Sequence, residues 1–252
     1  MEVIAIYKTN QLQFNYFMNI LSIIPARSGS KSIPNKNIKM LAGKPLLSYS
    51  IEYSKKCNLI SNTIVSTDSI EYKDIAIRYG AIVPELRPKD LSSDEVQDFP
   101  VALHELMISE KYFNKIFDIV VWLRPTSPLR PEGLIEKGVK ILLENNKIDS
   151  IRSIAIATEH PFRQWLLEEV QNIIKPYEKI IFEPYNKPRQ SLSETYFQTG
   201  DIELVRRSTL INGSMSGETI APIILNHDEM VDIDDLNDWD IAKNKIEVSE
   251  RR

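Results

Sequence analysis

Ile20-Leu21-Ser22-Ile23-Ile24-Pro25-Ala26-Arg27-Ser28-Gly29-Ser30-Lys31-Ser32-Ile33-Pro34-Asn35-Lys36-Asn37 joins an apolar run to a loop of small and basic residues. The run 20–24 predicts a first strand, and the alternation continues outward from it. Helical spacing covers 45–57, 69–79 and 94–109, and strand-like runs cover 62–67, 81–83 and 117–123. A loop punctuated by Pro125, Pro128 and Pro131 follows, then a helix over 131–145, with Pro131 suited to its first turn, and a strand over 149–157. Between 160 and 199 the pattern deteriorates into prolines, aromatics and short apolar runs, an excursion that needs a partner surface to bury its apolar residues. Strands at 201–205 and 220–225 and a final helix over 235–246 close the chain. Strand followed by helix, repeated, predicts an α/β fold with a mostly parallel sheet and helices on both faces. Ligands on such sheets bind beyond the carboxyl ends of the strands, which directs attention to the loops there.

The chain has 252 residues, 31 Lys and Arg against 35 Asp and Glu, and is 42% hydrophobic, the profile of a soluble globular protein. No apolar stretch is long enough to predict a transmembrane helix. Cys57 is the single cysteine, which excludes an intrachain disulfide or a four-cysteine zinc site and fits a cytoplasmic location; its simplest role is as a small core residue. Residues 1–17 are polar and aromatic and lack the features of a signal peptide, so they read as a flexible leader or an upstream start, with native order from Met18.

The net charge of -4 is less informative than its distribution. Residues 3–51 carry Lys8, Arg27, Lys31, Lys36, Lys39 and Lys44 with no acid up to residue 51, whereas 226–240 carry seven Asp and Glu with no Lys or Arg. The loop after the first strand is neither a Walker A nor a Gly-x-Gly-x-x-Gly motif, but its small residues expose backbone N–H groups and Arg27, Lys31 and Lys36 supply charge for phosphate. In Val231-Asp232-Ile233-Asp234, residues two apart on an extended segment point to one side, so both carboxylates can face one hard cation such as Mg²⁺. A solvated basic loop and a solvated acidic face are the plainer readings. If folding brings the two ends together, they form one site for a polyphosphate and its metal.

Four segments together resemble the acylneuraminate cytidylyltransferases (CMP-sialic acid synthetases): the loop 24–37, Arg87-Pro88-Lys89-Asp90-Leu91-Ser92-Ser93-Asp94, Leu123-Arg124-Pro125-Thr126-Ser127-Pro128-Leu129-Arg130, and Asp232-Ile233-Asp234. The resemblance runs from about Asn19 to the final helix and implies a Rossmann-like nucleotidyltransferase domain over 18–252 with a small dimerisation insertion at about 158–200. It implies that CTP and a 2-keto sugar acid become a CMP-sugar and pyrophosphate with Mg²⁺ as cofactor. A second copy of the chain is the expected partner, with no role for nucleic acid or membrane. Residue by residue it implies catalytic roles for Arg27, Lys36, Asp232 and Asp234, with Asp232 and Asp234 on the metal. Ala26, Arg27, Ser28, Lys31, Lys36, Asn37, Arg87, Ser93 and Arg124 are assigned to the nucleotide, and Arg163, Arg189, Gln190 and Gln198 to the sugar acid. His104, His160 and His227 have no assigned role, and no dedicated general base is evident.

Two departures from the family pattern matter. Family members commonly carry Gln where this chain has Arg124, and arginine has donors but no acceptor, so the base is less securely identified and GTP stands as an alternative. Pro188-Arg189-Gln190 is intact, but Thr199-Gly200-Asp201-Ile202-Glu203 replaces the usual Asn-Gly-Ala-Ile-Tyr, which points to legionaminic or pseudaminic acid as readily as to N-acetylneuraminate. Arg189 equally suits an interface salt bridge. A metal-dependent glycosyltransferase with an Asp-x-Asp motif and a noncatalytic nucleotide-binding protein are the competing classes.

Overall fold

Six strands form the central sheet of the computed structural model, which describes residues 18–170, 172–178 and 180–250. The expected leader, 1–17, lies outside the described residues. In chain order the sheet strands are β1 (Ile20–Pro25), β4 (Asn62–Ser66), β5 (Ile119–Trp122), β6 (Ser150–Ile156), β9 (Tyr196–Arg206) and β10 (Ile220–Ile224). Their spatial order is β10-β6-β9-β5-β1-β4. β1 pairs in parallel with β4 and β5, and β10 with β6. β9 runs antiparallel to both β5 and β6, so five strands share one direction and β9 alone opposes them. A two-stranded hairpin, β2 (Met40–Leu41) with β3 (Lys44–Pro45), precedes the first helix, and a second, β7 (Trp165–Glu168) with β8 (Ile173–Pro176), forms part of the excursion.

Alternation along each strand divides the core. Ile20 and Ile24 of β1, Val65 of β4 and Ile119 and Val121 of β5 face helices α1 (Leu46–Lys56), α2 (Ile70–Arg78) and α4 (Leu134–Glu144). Leu21 and Ile23, Ile64, and Val120 and Trp122 face α3 (Asp98–Phe113) and the short α5 (Arg207–Ile211). Two covered faces explain why the strand residues of β5 are all buried, as expected for a parallel sheet.

A third apolar cluster lies off the sheet. The last helix, α6 (Leu236–Glu250), contributes Trp239, Ala242 and Ile246, which pack with Ile33 of the first loop, Leu41 of β2, Leu46 and Tyr49 of α1, and Val231 and Ile233. Burying Val231 and Ile233 is worth about 1.5–3 kcal/mol for each side chain. That packing binds the end of the chain to the loop after β1 and sets the position of the site.

Several boundaries differ from expectation, each for a local reason. The third helix begins at Asp98 rather than 94, because Pro100 has no N–H to give and belongs in a first turn. Asn114, in the left-handed conformation at φ 48°, ends it. The helix expected from Pro131 begins at Leu134, where Gly133 at φ 79° forms its cap. Residues 81–83 make only one bridge, Ile82 to Ile64, instead of a strand. β9 begins at Tyr196, so the chain rejoins the sheet before the expected end of the excursion.

Candidate active site

β4 lies on one side of β1 and β5 on the other, so the loops after β1 and β5 leave the sheet side by side in opposite connections, the place where such sheets open a crevice. A cleft of about 430 Å³ lies there. From the first loop it is lined by Arg27, Lys31, Lys36 and Asn37, from the wall before α3 by Arg87, Ser93, Asp94 and Asp98, and from β5 and its loop by Trp122, Arg124 and Thr126.

The first loop is built to stay open. Ala26 N–H donates to Ser66 O at 2.8 Å, tying the loop's root to β4. Ser28 donates through its backbone N–H and hydroxyl to the Asp68 carboxylate, at 2.7 and 2.9 Å, so the chain turns at Gly29, whose φ of 76° suits a residue without a Cβ. Ala26 is buried and Ser28 points to Asp68, so neither lines the cleft. Asn37 is buried and donates through Nδ2 to Arg27 O at 3.0 Å, which fixes the far end of the loop to its beginning. Asp94 sits between the Arg27 guanidinium and the Lys31 ammonium, the latter at 2.5 Å. Lys31, with Arg27 beside it, holds the Asp94 carboxyl below the usual carboxylate range.

Lys36 connects the two ends of the chain. Its stem is buried and its Nζ donates to Ile233 O at 2.7 Å. Ile233 N–H in turn donates to Thr126 O at 2.9 Å, so the acidic segment is clamped between the loop after β1 and the loop after β5. Because Val231 and Ile233 are buried, Asp232 and Asp234 are exposed on the opposite side of the same extended segment. Partial burial raises the Asp232 pKa, the nearby Asp234 adds to the rise, and the Thr126 side chain, Arg124 and Lys36 oppose it. The cationic loop and the carboxylate pair therefore adjoin one another.

At the β5 side, Arg124 Nη2 donates to Asp98 Oδ2 at 2.5 Å and to Glu203 Oε1 at 2.8 Å, and Arg152 pairs with the other Glu203 oxygen. Burial works against the charge on Arg124, but Glu203 and Asp98 outweigh it and raise its pKa. Gln198 donates to Glu203 at 3.3 Å, so it adjoins Arg124 on the sheet side. Gly200, at φ 76°, lets β9 pass close by: a Cβ there would lie 3.5 Å from Arg124 Cδ and 3.8 Å from Asp232 Oδ2. Arg87 turns its guanidinium back onto β4, donating to Ser66 Oγ and O at 2.8 and 2.7 Å, and burial lowers its pKa.

The remaining expected residues lie elsewhere within the chain. Arg163 donates to Lys187 O at 3.0 Å and Arg189 to Thr158 O at 3.4 Å, and with Gln190 they belong to the exposed excursion, away from the cleft lining. Asp94, Asp98 and Glu203 were not among the expected site residues. A Glu between Ile202 and Leu204 is a signal for Glu203, since its burial demands a cation such as Arg124 or Arg152. Pro100 is the signal for Asp98, because it marks a first turn and thus a helix end opening on the cleft.

The sequence profile of the cytidylyltransferase family matches residues 21–172. Over 235 residues the chain is 33% identical to the CMP-N,N'-diacetyllegionaminic acid synthase of Legionella pneumophila, covering 92% of this chain and 98% of that one. It is 30% identical over 230 residues to the pseudaminic acid cytidylyltransferase of Campylobacter jejuni, covering 90% and 95%. Among solved structures, a CMP:2-keto-3-deoxy-manno-octonic acid synthetase complexed with CTP superposes with a TM-score of 0.65 at 15% identity over 93% of this chain and 100% of the other, a likeness of fold. With its first-strand loop, its crevice at the reversal of strand order and these relatives along nearly its whole length, the chain belongs to the cytidylyltransferase family.

Proposed function

We propose that the protein is a homodimeric cytoplasmic enzyme that transfers CMP from CTP to a nine-carbon 2-keto sugar acid of the legionaminic, pseudaminic or sialic type, releasing pyrophosphate. The observation that carries this reading is the clamp Lys36–Ile233–Thr126, which holds the Asp232–Asp234 segment against the cationic loop that lines the cleft. The names of the Legionella and Campylobacter relatives support the nonulosonate class.

In this reading Arg27, Lys31 and Lys36 hold the triphosphate and neutralise charge that builds as pyrophosphate departs. The sugar's anomeric hydroxyl attacks the α-phosphorus: its O–P bond forms, the bond to the β-phosphate bridge breaks, and the hydroxyl proton passes to solvent. Asp94 must release Arg27 and Lys31 when the triphosphate arrives. No group of three or more His, Cys, Asp or Glu side chains among the described residues is placed to hold a metal alone. Mg²⁺ asks for less, one or two carboxylates with phosphate oxygens and water, and the exposed Asp232 and Asp234 fit that need. When bound, the ion would screen the phosphate charge that repels the attacking oxygen.

The dimer rests on the excursion. Trp165, Leu166, Leu167, Ile174 and Phe182 are exposed there, Phe182 at 89%, an apolar surface of the kind that a second protein covers. Within one chain Arg163, Arg189 and Gln190 stand off the cleft, so their use on the sugar acid requires a second copy or a closing movement.

The test is incubation with Mg²⁺, each of the four nucleoside triphosphates and a panel of 2-keto sugar acids, followed by pyrophosphate. Release with CTP and a nonulosonate is expected. Release from GTP instead would assign another base, and no release from any pair would reject the transferase reading. A fully active monomer by sedimentation at micromolar concentration would reject the dimer.

A further inference from the structure

Ser66, the last residue of β4, is a junction. Its carbonyl accepts from Ala26 N–H at 2.8 Å and from Arg87 Nη2 at 2.7 Å, which ties the root of the first loop to Arg87. Its hydroxyl accepts from Arg87 Nε at 2.8 Å and donates to Glu105 Oε1 at 2.5 Å. A hydroxyl has one hydrogen to give, so the bonds run in one direction, from guanidinium through hydroxyl to carboxylate. Arg87 N–H also donates to Thr67 O at 2.8 Å, so the backbone and the side chain of Arg87 both clasp the end of β4.

Glu105 has no part in the site as described so far. It is 1% exposed, on the buried face of α3 that carries Val101, Ala102 and Leu106. Taking a carboxylate out of water among such neighbours is costly, and a neutral residue of similar size would avoid the cost. Ser66 gives the one hydrogen bond that this carboxylate receives among the described residues, since His104 Nδ1 stands 3.6 Å away, beyond that reach. Burial raises the Glu105 pKa, and the bond from Ser66 is foremost among the influences that oppose the rise.

The cation at the other end needs such support. Arg87 is 6% exposed, yet it lines the cleft. Its Nε and Nη2 are engaged by Ser66, and Nη1 has no hydrogen-bond partner among the described residues. Burial lowers the Arg87 pKa, Glu105 and then Asp68 oppose the fall, and the like charge of Arg27 adds to it. Two guanidinium groups lining one cleft repel each other, so a charge behind one of them decides whether it stays.

We infer that Glu105 is a positioning residue: acting through the Ser66 hydroxyl, it holds Arg87 against β4 with Nη1 free to donate to the nucleotide. The inference rests on the cytidylyltransferase reading. Glu105 itself touches no ligand. Without its charge Arg87 is repelled by Arg27 and drawn to water, and it leaves the wall. The nucleotide is then held less tightly, but once bound it reacts at the same rate, because Arg87 contributes to its capture and not to the bonds that change.

The experiment measures kcat and the KM for CTP from pyrophosphate release, with Mg²⁺ and a nonulosonate that the wild-type enzyme accepts. The proteins are wild type, Glu105→Gln, Ser66→Ala, Arg87→Met and the double variant Glu105→Gln with Arg87→Met. Glutamine still accepts from Ser66 but carries no charge, whereas alanine keeps both charges and removes the link. Glu105→Gln and Ser66→Ala are each expected to raise the KM for CTP by about fivefold or more, with kcat within about threefold of wild type. In the double variant KM should match that of Arg87→Met within about twofold, because Glu105 has nothing left to position. A purely structural Glu105 would lower the melting temperature and leave KM unchanged. A smaller rise in KM, a loss carried by kcat, penalties that multiply in the double variant, or a wild-type KM in Arg87→Met overturns the inference. Circular dichroism confirms folding, and where Glu105→Gln fails to fold, Ser66→Ala carries the test against the same thresholds. A wild-type enzyme that uses CTP while the variants keep its KM rejects the positioning role alone; one that does not use CTP rejects the reading beneath it as well.

Discussion

Asp201→Asn is expected to stabilise the protein, and only above acidic pH. Asp201 lies on β9 at 0% exposure, and neither carboxylate oxygen receives a well-formed hydrogen bond. Burial pushes its pKa from 3.8 up to about 6, against the opposing influence of Thr199 and Arg130. Burial also pushes Arg130 down to about 10, despite Asp201 beside it. Both directions show that desolvation outweighs mutual attraction in this pair, as is common for buried charges. At about 1.4 kcal/mol for each tenfold change in acidity, a rise from 3.8 to about 6 corresponds to roughly 3 kcal/mol. The sign follows from a folded pKa above the unfolded one. Stability is fully present below 3.8, where both states are protonated, and is lost as the pH rises through about 6. Asparagine imitates the protonated acid and has nothing to lose. Urea unfolding at pH 4 and pH 7 should therefore show the advantage of the variant growing by about 2–3 kcal/mol between the two. Any constant offset from exchanging a carboxyl for an amide cancels in that comparison. An advantage that grows by less than about 1 kcal/mol would mean that Asp201 ionises freely and that the burial argument is wrong.

Lys36→Met keeps the buried stem but removes the bond to Ile233 O; we expect a stability loss of about 1.5–3 kcal/mol in urea unfolding and a fall of about 100-fold or more in kcat/KM for pyrophosphate release, and wild-type kinetics would remove Lys36 from the chemistry. Asp234→Asn changes an exposed side chain, so stability should move by less than about 0.5 kcal/mol, while Mg²⁺-dependent turnover drops about 100-fold or more; undiminished turnover would discard the metal assignment. Gly138→Ala would place a Cβ 2.7 Å from Leu204 Cδ1, where α4 meets β9. Overpacking there should cost about 1–3 kcal/mol in thermal unfolding even though alanine favours helix, and a variant at least as stable as wild type would show that Leu204 turns aside freely.

How much of this was legible in the sequence depends on how local the governing interaction is. The parallel core was legible where a central strand buries both faces and carries an unbroken apolar run, as in Ile119–Trp122. α2 was legible at its start, where the Ser69 side chain accepts from Tyr72 N–H. β9 was legible only in its second half, the strand expected at 201–205: its antiparallel insertion between β5 and β6 is a long-range pairing, and its first residues, Tyr196 to Gln198, are exposed and look like the preceding loop. The expectation for the sugar-site residues rests on motif positions, and motif positions do not say whether one chain or two must supply a surface. Hence Arg163, Arg189 and Gln190 stand apart from the cleft that Lys36 and Asn37 line.

The meeting of the two chain ends shows where pattern passes into structure. Alternation in Val231-Asp232-Ile233-Asp234 predicts that both carboxylates share a side, but no periodicity says what lies opposite. That is decided by the apolar half of the same alternation. Val231 and Ile233 join Ile33, which sits inside the basic loop, and Trp239, which follows one turn into α6. The hydrophobic residues between the charges thus determine which charges meet, and the electrostatic site follows from apolar packing. Like and opposite charges could not hold this arrangement by themselves, since exposed ion pairs are worth about 0–1 kcal/mol each. The burial of Val231, Ile233 and Ile33 supplies several times that and leaves Asp232 and Asp234 free to serve a ligand.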